Sequence, residues 1–189
     1  MCGRYYIETD ERELQDIVND VQRKISGAPE QMKLKTNGEV FPSDMVPVQT
    51  GDKRYEPMIW GFIGINGKPL INARSETAAT KPTFKQSMLE RRCLIPASGY
   101  YEWRKDGKNK IKYQFYLPGS LMFFAGCFRQ EPGSHINRFV ILTRQASKNI
   151  EWVHDRMPVI IPKSHIQTWL HETPTEIEYA LQEFMCKAV

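Results

Sequence analysis

Several features that would assign a protein quickly to a class are missing from this 189-residue chain. No C-x-x-C pair occurs, because the four cysteines lie far apart, which argues against both a zinc site and a disulfide framework. No apolar run reaches membrane-spanning length, and the N-terminus lacks the basic-then-apolar layout of a signal peptide. We therefore expect one soluble intracellular domain over residues 1–189, with no metal, no cofactor and no membrane partner. The cysteines are Cys2, Cys93, Cys127 and Cys186.

The charge balance is only mildly basic. The net charge is +4, and charged residues make up 25% of the chain without dense basic clusters. Strong nucleic-acid binders usually concentrate Lys and Arg on one face. The composition therefore permits a polyanionic partner but makes a purely electrostatic binder the least favoured class.

Short apolar runs separated by Gly- and Pro-containing turns dominate the middle of the chain, a pattern typical of an antiparallel, barrel-like sheet. We expect an α+β fold with a β-rich centre and peripheral helices. The predicted strands are 2–7, 55–63, 93–95, 110–117, 121–128, 137–143 and 157–161. The predicted helices are 11–25 with Asp10 as N-cap, 82–91, 147–154, 163–171 and 175–186.

The first residues carry the most distinctive chemistry. The small residue at position 2 favours removal of Met1, which would leave Cys2 as a 1,2-aminothiol. Its amine has a reference pKa of about 7.7–8.0 and its thiol about 8.5, so both nucleophiles are partly available near neutral pH. Such a group condenses with an aldehyde to an imine, which the thiol closes into a thiazolidine. Alternatively, Cys2 is a small apolar residue at the start of a strand.

Three polar clusters interrupt otherwise apolar segments. In the first, Asn72 and Arg74 follow an apolar pair directly. An amide can donate to an oxyanion or a sugar hydroxyl, and a guanidinium can grip a phosphate. Alternatively, both are ordinary turn and surface residues. In the second, Glu102 lies among aromatic residues, which would desolvate its carboxyl group and suit it to acid or base work, although a structural ion pair is an alternative.

His154 belongs to the third cluster, between a predicted helix and a predicted strand. Functional residues tend to lie on loops anchored by rigid elements, although a single histidine is more often structural. If the clusters met, Cys2 would supply a thiol, His154 a base, Asn72 an oxyanion donor and Glu102 an acid. The sequence alone does not show that they meet.

Four segments together resemble the SOS-response-associated peptidase (SRAP) family. They are Met1–Tyr5, Ile71–Thr77, Arg92–Trp103 and His154–Ile160, and they occur in the family's order over nearly the whole chain. The resemblance implies a β-barrel-centred fold with a positively charged channel for single-stranded DNA. It also implies that processed Cys2 attacks the ring-opened aldehyde of an abasic site and ends as a thiazolidine DNA-protein crosslink.

The resemblance also implies roles for individual residues. Asn72 and Glu102 would orient the opened sugar and assist proton transfer, while His154 would act in ring opening and in reversal of the crosslink. The residues implied to contact backbone phosphates are Arg4, Arg74, Arg156 and Thr143. Because each arginine lies within two residues of a proposed reactive group, phosphate positioning and aldehyde capture would be coupled.

The chain departs from the family pattern after Trp60. The family commonly has a Trp-Gly-Leu-Ile-Pro segment followed by a further Trp, whereas residues 60–65 here keep only the first. Trp60 is therefore either a stacking residue for DNA or part of the core. Because base stacking contributes about 1–3 kcal/mol per base, the loss of the second Trp would alter affinity or junction preference.

Two other functions remain open from the sequence. One is a cysteine peptidase or autopeptidase that uses Cys2, Asn72, Glu102 and His154, and the other is a non-covalent single-stranded DNA-binding module. We expect a monomer whose partner is single-stranded DNA containing abasic sites, with replication proteins as candidate partners. Its expected location is cytoplasmic and nucleoid-associated, or nuclear in a eukaryote.

Overall fold

A computed structural model describes residues 2–8, 12–26, 33–65, 67–172 and 185–189. The predicted N-cap Asp10 lies outside these ranges. The strands of the first half are β1 (Arg4–Ile7), β2 (Gly38–Val40), β3 (Met45–Gly51), β4 (Arg54–Trp60), β5 (Phe62–Ile63), β6 (Pro69–Leu70) and β7 (Asn72–Arg74). The later strands are β8 (Arg92–Ala97), β9 (Gly99–Asp106), β10 (Asn109–Tyr116), β11 (Met122–Gln130), β12 (Asn137–Gln145), β13 (Arg156–Pro158) and β14 (Met185–Ala188). The helices are α1 (Arg12–Lys24), α2 (Ser75–Ala78), α3 (Pro82–Glu90) and α4 (Ile166–His171).

A closed five-stranded barrel forms the centre of the fold. Its strands follow the order β11-β8-β3-β4-β12, and β12 pairs with β11 to close the ring, while β7 and β13 extend it from β12. Closure leaves no free edges in the ring. The predicted β-rich, barrel-like centre is confirmed. Most pairings are antiparallel, as expected, but β12 runs parallel to β4 and β7.

A second sheet, in the order β14-β10-β9-β1-β2, carries the N-terminal strand. Tyr5 of β1 lies opposite Tyr100 of β9, and both are buried. Their rings lie 5.8 and 6.1 Å from Phe124 of β11. The aromatic contacts therefore fix the start of the chain against the barrel, so that Cys2 lies between the two sheets.

Helix α1 confirms the amphipathic pattern. Leu14, Ile17, Val18 and Val21 are buried at helical spacing, and the last two pack with Met45 of β3. Helix α3 begins with Pro82 in its first turn, where a missing N–H is tolerated, as predicted. No helix in the described ranges is long and apolar enough to cross a membrane.

Three local predictions differ from the structure. β9 was not predicted as a strand. Residues 148–153 form consecutive turns where a helix was predicted over 147–154, with the amides of Ile150 and Glu151 both donating to the carbonyl of Ser147. Met185 and Cys186 begin a strand, while the rest of the predicted helix 175–186 lies outside the described residues. In the turn segment, burial of Ile150 and Val153 mimics helical i,i+3 spacing, because two successive turns also bring such residues to one side.

Trp60 belongs to the core. It is 0% exposed, it stacks on Phe139 at a centroid distance of 6.5 Å, and its Nε1 donates to the carbonyl of Ile71 at 3.0 Å. Such a side chain has no face available to a nucleobase. The prediction of Trp60 as a DNA-stacking residue is therefore wrong, and its alternative placement in the core is correct.

Substitution of Trp60 by phenylalanine tests that assignment. The change removes the indole N–H and leaves the buried carbonyl of Ile71 without its donor, so we expect the free energy of unfolding to fall by about 1–3 kcal/mol. In urea denaturation the midpoint falls accordingly, while affinity for single-stranded DNA stays within error of wild type. Weaker DNA binding at unchanged stability would restore Trp60 to the DNA surface.

Candidate active site at the chain start

The four predicted reactive residues come together at the N-terminal end of β1. Asn72 Nδ2 donates to the carbonyl of Cys2 at 2.9 Å. The carboxylate of Glu102 lies close enough to Cys2 to raise the pKa of its thiol, and it interacts electrostatically with His154. Glu102 and His154 line one cleft. The segment before β1, strands β7 and β9 and the segment before β13 thus supply one residue each.

Cys2 is buried beneath this group, with 0% of its surface exposed. Burial, reinforced by the Glu102 carboxylate, raises the pKa of the Cys2 thiol far above its usual range. The sulfur is therefore a neutral thiol at physiological pH. A thiol in this environment needs a nearby acceptor for its proton before it can form a bond to carbon.

Glu102 is suited to move that proton. It is 4% exposed, and burial raises the pKa of its carboxyl group. A carboxyl group with a raised pKa holds a proton at higher pH than a surface glutamate and can deliver it to a leaving hydroxyl group. Glu102 also lies opposite Tyr113 in the β9–β10 pairing, so a regular ladder fixes its backbone.

Asn72 positions the chain start and keeps one acceptor available. Its Nδ2 is used by the Cys2 carbonyl, whereas its buried Oδ1 has no hydrogen-bond partner among the described residues. A buried polar atom without a partner is uncommon and points to a group supplied by a ligand. The Oδ1 atom can accept a hydrogen bond from a hydroxyl or amine donor at Cys2.

His154 is oriented by its neighbours. Its Nδ1 lies 3.0 Å from the backbone nitrogen of Arg156 and 2.9 Å from Oδ1 of Asp155. The amide can only donate, so in the neutral ring Nδ1 accepts and Nε2 carries the hydrogen. When the ring is protonated, Nδ1 can instead donate to Asp155. The Arg156 amide thus donates to the neutral ring, and Asp155 accepts from the protonated ring.

Arg156 is held beside the site by an acidic partner. Its guanidinium makes two bonds to Glu76, at 2.7 and 2.9 Å, and donates to the carbonyl of Thr143 at 2.6 Å. Thr143 is itself 0% exposed. A phosphate contact by the Thr143 side chain would require its exposure, so that contact stays a prediction. In the free protein, the Thr143 carbonyl accepts a hydrogen bond from Arg156 and helps to hold its guanidinium in place.

The two other predicted phosphate ligands differ in availability. Arg4 pairs with Glu39 at 2.5 Å and lies over the ring of Phe41 at 3.7 Å, and Lys112 also bonds to Glu39. Arg74 is exposed and, within the described part of the chain, makes no ion pair. An incoming phosphate would meet Arg74 directly and would compete with a carboxylate at Arg4.

Sequence reasoning assigned no role to the carboxylates of Glu39 and Glu76. It also assigned none to the phenol hydroxyl groups of Tyr5 and Tyr100. Nothing in the sequence marks Glu39 as the partner of Arg4, while Glu76 lies two residues after Arg74 in a segment already singled out. The hydroxyl groups of Tyr5 and Tyr100 are buried and have no hydrogen-bond partner among the described residues. Burial first, and then the nearby Cys2, raise the pKa of both phenols well above its usual value, so both remain neutral donors.

The Glu76–Arg156 pair predicts a specific pH dependence. Hydrogen bonding to Arg156 holds the pKa of Glu76 at about 2, below its ordinary 4.5. Because the folded-state pKa is lowered, the stabilisation is complete above about pH 4.5 and is lost as pH falls towards 2. Glu76 is 49% exposed, so solvent screening limits the effect. We expect Glu76→Gln to lower the free energy of unfolding by about 0.5–1 kcal/mol at pH 7.

Chemical denaturation of wild type and Glu76→Gln at several pH values measures this difference. The gap between the two proteins should close as the pH approaches 2. A gap of constant size from pH 7 to pH 2 would show that it does not arise from ionised Glu76.

The site contains thiol, carboxyl, imidazole and amide groups, and no group of three or more His, Cys, Asp or Glu residues in the described ranges is placed to hold a metal ion. The fold and the site together define a barrel protein with an N-terminal thiol site. The family model for SOS response associated peptidase (SRAP) matches residues 1–188, and the chain belongs to that family.

Relatives with assigned names agree with this membership. YoqW of Bacillus subtilis is 31% identical over 193 residues, covering 95% of this chain and 84% of the relative. YedK of Escherichia coli is 30% identical over 178 residues, covering 91% and 80%. Both are named abasic site processing proteins. A crystal structure of a Bacteroides thetaiotaomicron protein has the same fold, with a TM-score of 0.79 at 20% identity, over all of this chain and 92% of that one.

Proposed function

We propose that the processed chain, with Cys2 at its N-terminus, captures abasic sites in single-stranded DNA as a covalent thiazolidine. The convergence of Asn72, Glu102 and His154 on Cys2 carries this proposal. The names of the relatives supply the substrate class. An abasic sugar in its ring-opened form carries an aldehyde, which is the partner that a 1,2-aminothiol requires.

The amine reacts first, because the buried thiol is protonated. The Cys2 nitrogen attacks the aldehyde carbon and gives a carbinolamine. Glu102 donates its proton to the carbinolamine hydroxyl, which leaves as water and yields an iminium ion. Asn72, bonded to the Cys2 carbonyl at 2.9 Å, fixes the backbone during this step, and its Oδ1 accepts a hydrogen bond from the amine.

The thiol then closes the ring. The Cys2 sulfur attacks the iminium carbon, the S–H proton passes to the Glu102 carboxylate, and the nitrogen becomes a neutral secondary amine. The sum of the two stages is loss of one water, and Glu102 returns to its protonated form. A buried, neutral thiol suits this order, because it becomes reactive only when an electrophile lies beside it.

His154 acts on the sugar ring. Its Nδ1 contacts Asp155 and the Arg156 amide, and its Nε2 is assigned the proton exchange with the sugar oxygen during ring opening. The same proton transfer in reverse assists release of the crosslink. His154 therefore exchanges a proton with the ring oxygen of the sugar, whereas Glu102 protonates the carbinolamine hydroxyl group.

Arginine side chains position the strand. Arg74 takes a backbone phosphate directly, whereas Arg4 and Arg156 exchange a carboxylate partner for phosphate. Glu39 and Glu76 thus hold two arginines in place in the free protein. This arrangement keeps the affinity for undamaged strands low, because each phosphate must compete with an internal anion.

Comparison of two N-termini tests the function. Protein beginning with Cys2 and protein retaining Met1 through a blocking substitution or tag are incubated with single-stranded DNA that contains an abasic site. We expect a heat-stable shifted band only with the first, because the second has no free amine on the Cys2 carbon. An equally intense heat-stable band from both proteins would contradict the proposal, and salt-sensitive binding with no such band from either would favour a non-covalent module.

A second candidate function is removal of the chain's own Met1, and the position of Glu102 beside the Cys2 thiol favours it. Mass spectrometry of protein made in a cell-free system without methionine aminopeptidase separates this activity from host processing. Met1 retained in Glu102→Ala but absent from wild type would support self-processing. Met1 present in both would assign its removal to the host.

A further inference from the structure

A second surface lies against the proposed active site. Glu102 and His154 line an open cleft of about 650 Å³ together with Trp152 and Arg104. The volume is within the range of small-molecule sites, about 300–1,000 Å³. Neither Trp152 nor Arg104 has a role in the proposed chemistry at Cys2. The cleft thus extends the site away from the thiol.

Trp152 offers a fixed aromatic face in this cleft. The side chain is 48% exposed, yet its Nε1 donates to the carbonyl of Asn149 at 3.0 Å. Its ring meets Tyr113 edge-on at a centroid distance of 5.0 Å, and the Arg104 guanidinium lies 5.4 Å from its centroid. A large apolar ring that is oriented by three neighbours but remains half exposed is an unusual surface feature. A flat π-system can stack on it with little loss of side-chain entropy.

The charges around the cleft are mixed. Arg104 lies beside Trp152, while the carboxyl groups of Glu102, Glu151 and Asp155 also line the cleft, so electrostatic attraction alone would not hold a strand there. Lys105 and Lys110 pair on the opposite face of the β9–β10 ladder from Glu102, because side chains alternate between the two faces along a strand. A neutral base stacked on Trp152 fits this balance of charge.

We infer that this cleft is a subsite for the nucleotide adjacent to the abasic site, with its base stacked on Trp152. Trp152 precedes His154 by two residues and Tyr113 faces Glu102 across the ladder, so the subsite adjoins the reacting sugar. The inference rests on the proposed function for its ligand. It adds a contact with an intact neighbouring base, which any of the four bases can make.

Binding to single strands that cannot react tests the inference. The probe is an oligonucleotide with one tetrahydrofuran residue, an abasic analogue that has no aldehyde, and its affinity is measured by fluorescence anisotropy. We expect Trp152→Ala to weaken binding by between about fivefold and about 150-fold, the range of one lost stacked base. Trp152→Phe should recover part of the loss because a ring remains. Leu89→Ala, a matched change of an exposed apolar residue on α3, should bind as wild type does.

Two further oligonucleotides identify the base. Each carries a second tetrahydrofuran residue, on the 5′ or the 3′ side of the first. On the oligonucleotide that lacks the stacked base, wild type and Trp152→Ala should bind equally, and on the other the loss should persist. An equal loss on all three oligonucleotides, or no loss on any, would overturn the inference.

These outcomes separate the subsite from the covalent chemistry. Base-dependent loss of binding in Trp152→Ala stands even if wild type forms no heat-stable band with abasic DNA. Conversely, a heat-stable band from wild type together with base-independent binding would leave the proposed function intact and remove the subsite.

Discussion

Replacement of Cys2 by alanine is expected to lower the yield of heat-stable crosslink with abasic single-stranded DNA by at least about 10²-fold. Alanine also permits removal of Met1, so the variant keeps an N-terminal amine and can still form an imine. It has no sulfur to close the ring, and an imine hydrolyses on heating. Denaturing gels without a reductant measure the heat-stable product, and gels after borohydride treatment measure the trapped imine.

The matched control is Cys186→Ala. Cys186 is the most exposed of the four cysteines, so general thiol reactivity with aldehydes would depend on it more than on buried Cys2. We expect this variant to crosslink as wild type does. If Cys186→Ala lost the heat-stable band and Cys2→Ala kept it, the assignment of the nucleophile would be wrong.

Glu102→Gln is the second change with a large expected effect, a fall of about 10²–10⁴-fold in the rate of crosslink formation. Glutamine matches the shape of the carboxyl group but cannot give or take the proton that moves in each stage. Because wild-type Glu102 acts first as an acid, the wild-type rate should fall as pH rises through its raised pKa. The variant should lack this dependence. Single-turnover gel assays over a pH series measure both properties.

Protein stability separates lost chemistry from lost folding. Burial raises the pKa of Glu102 in the folded state, so ionisation of this group costs stability as pH rises. At neutral pH, Glu102→Gln should therefore be at least as stable as wild type, while Glu90→Gln, an exposed change on α3, should alter neither stability nor rate. A slow variant that is also less stable would indicate a structural role for Glu102 instead.

Much of the fold could be predicted because its periodicities are simple. The four buried positions of α1 repeat at helical spacing, and the barrel strands are apolar runs bounded by Gly- and Pro-containing turns. β9 was missed because its outward-facing aromatic residues and inward-facing Glu102 break the apolar alternation that marks a strand. Glu102, which obscured the strand in the sequence, is also a residue of the candidate site.

The four proposed reactive residues could be singled out because each belongs to a distinctive local cluster. Their supporting residues could not, because those contacts join distant parts of the chain. Glu39 is 35 residues from Arg4, and Glu76 is 80 residues from Arg156. Burial of Trp60 likewise depends on how β4 closes against β12, which no local pattern contains. Contacts between elements that are distant in the sequence determined these features.

The mass of the crosslinked peptide tests the central claim most directly. Once Met1 is removed, trypsin cleaves after Arg4 and releases the three-residue peptide Cys2–Arg4. After nuclease and trypsin digestion of the crosslink, we expect this peptide to carry the abasic sugar fragment with the loss of one water, its amine and its thiol both blocked. A sugar fragment found instead on a lysine-containing peptide or on Cys186, with Cys2–Arg4 recovered unmodified, would contradict the account.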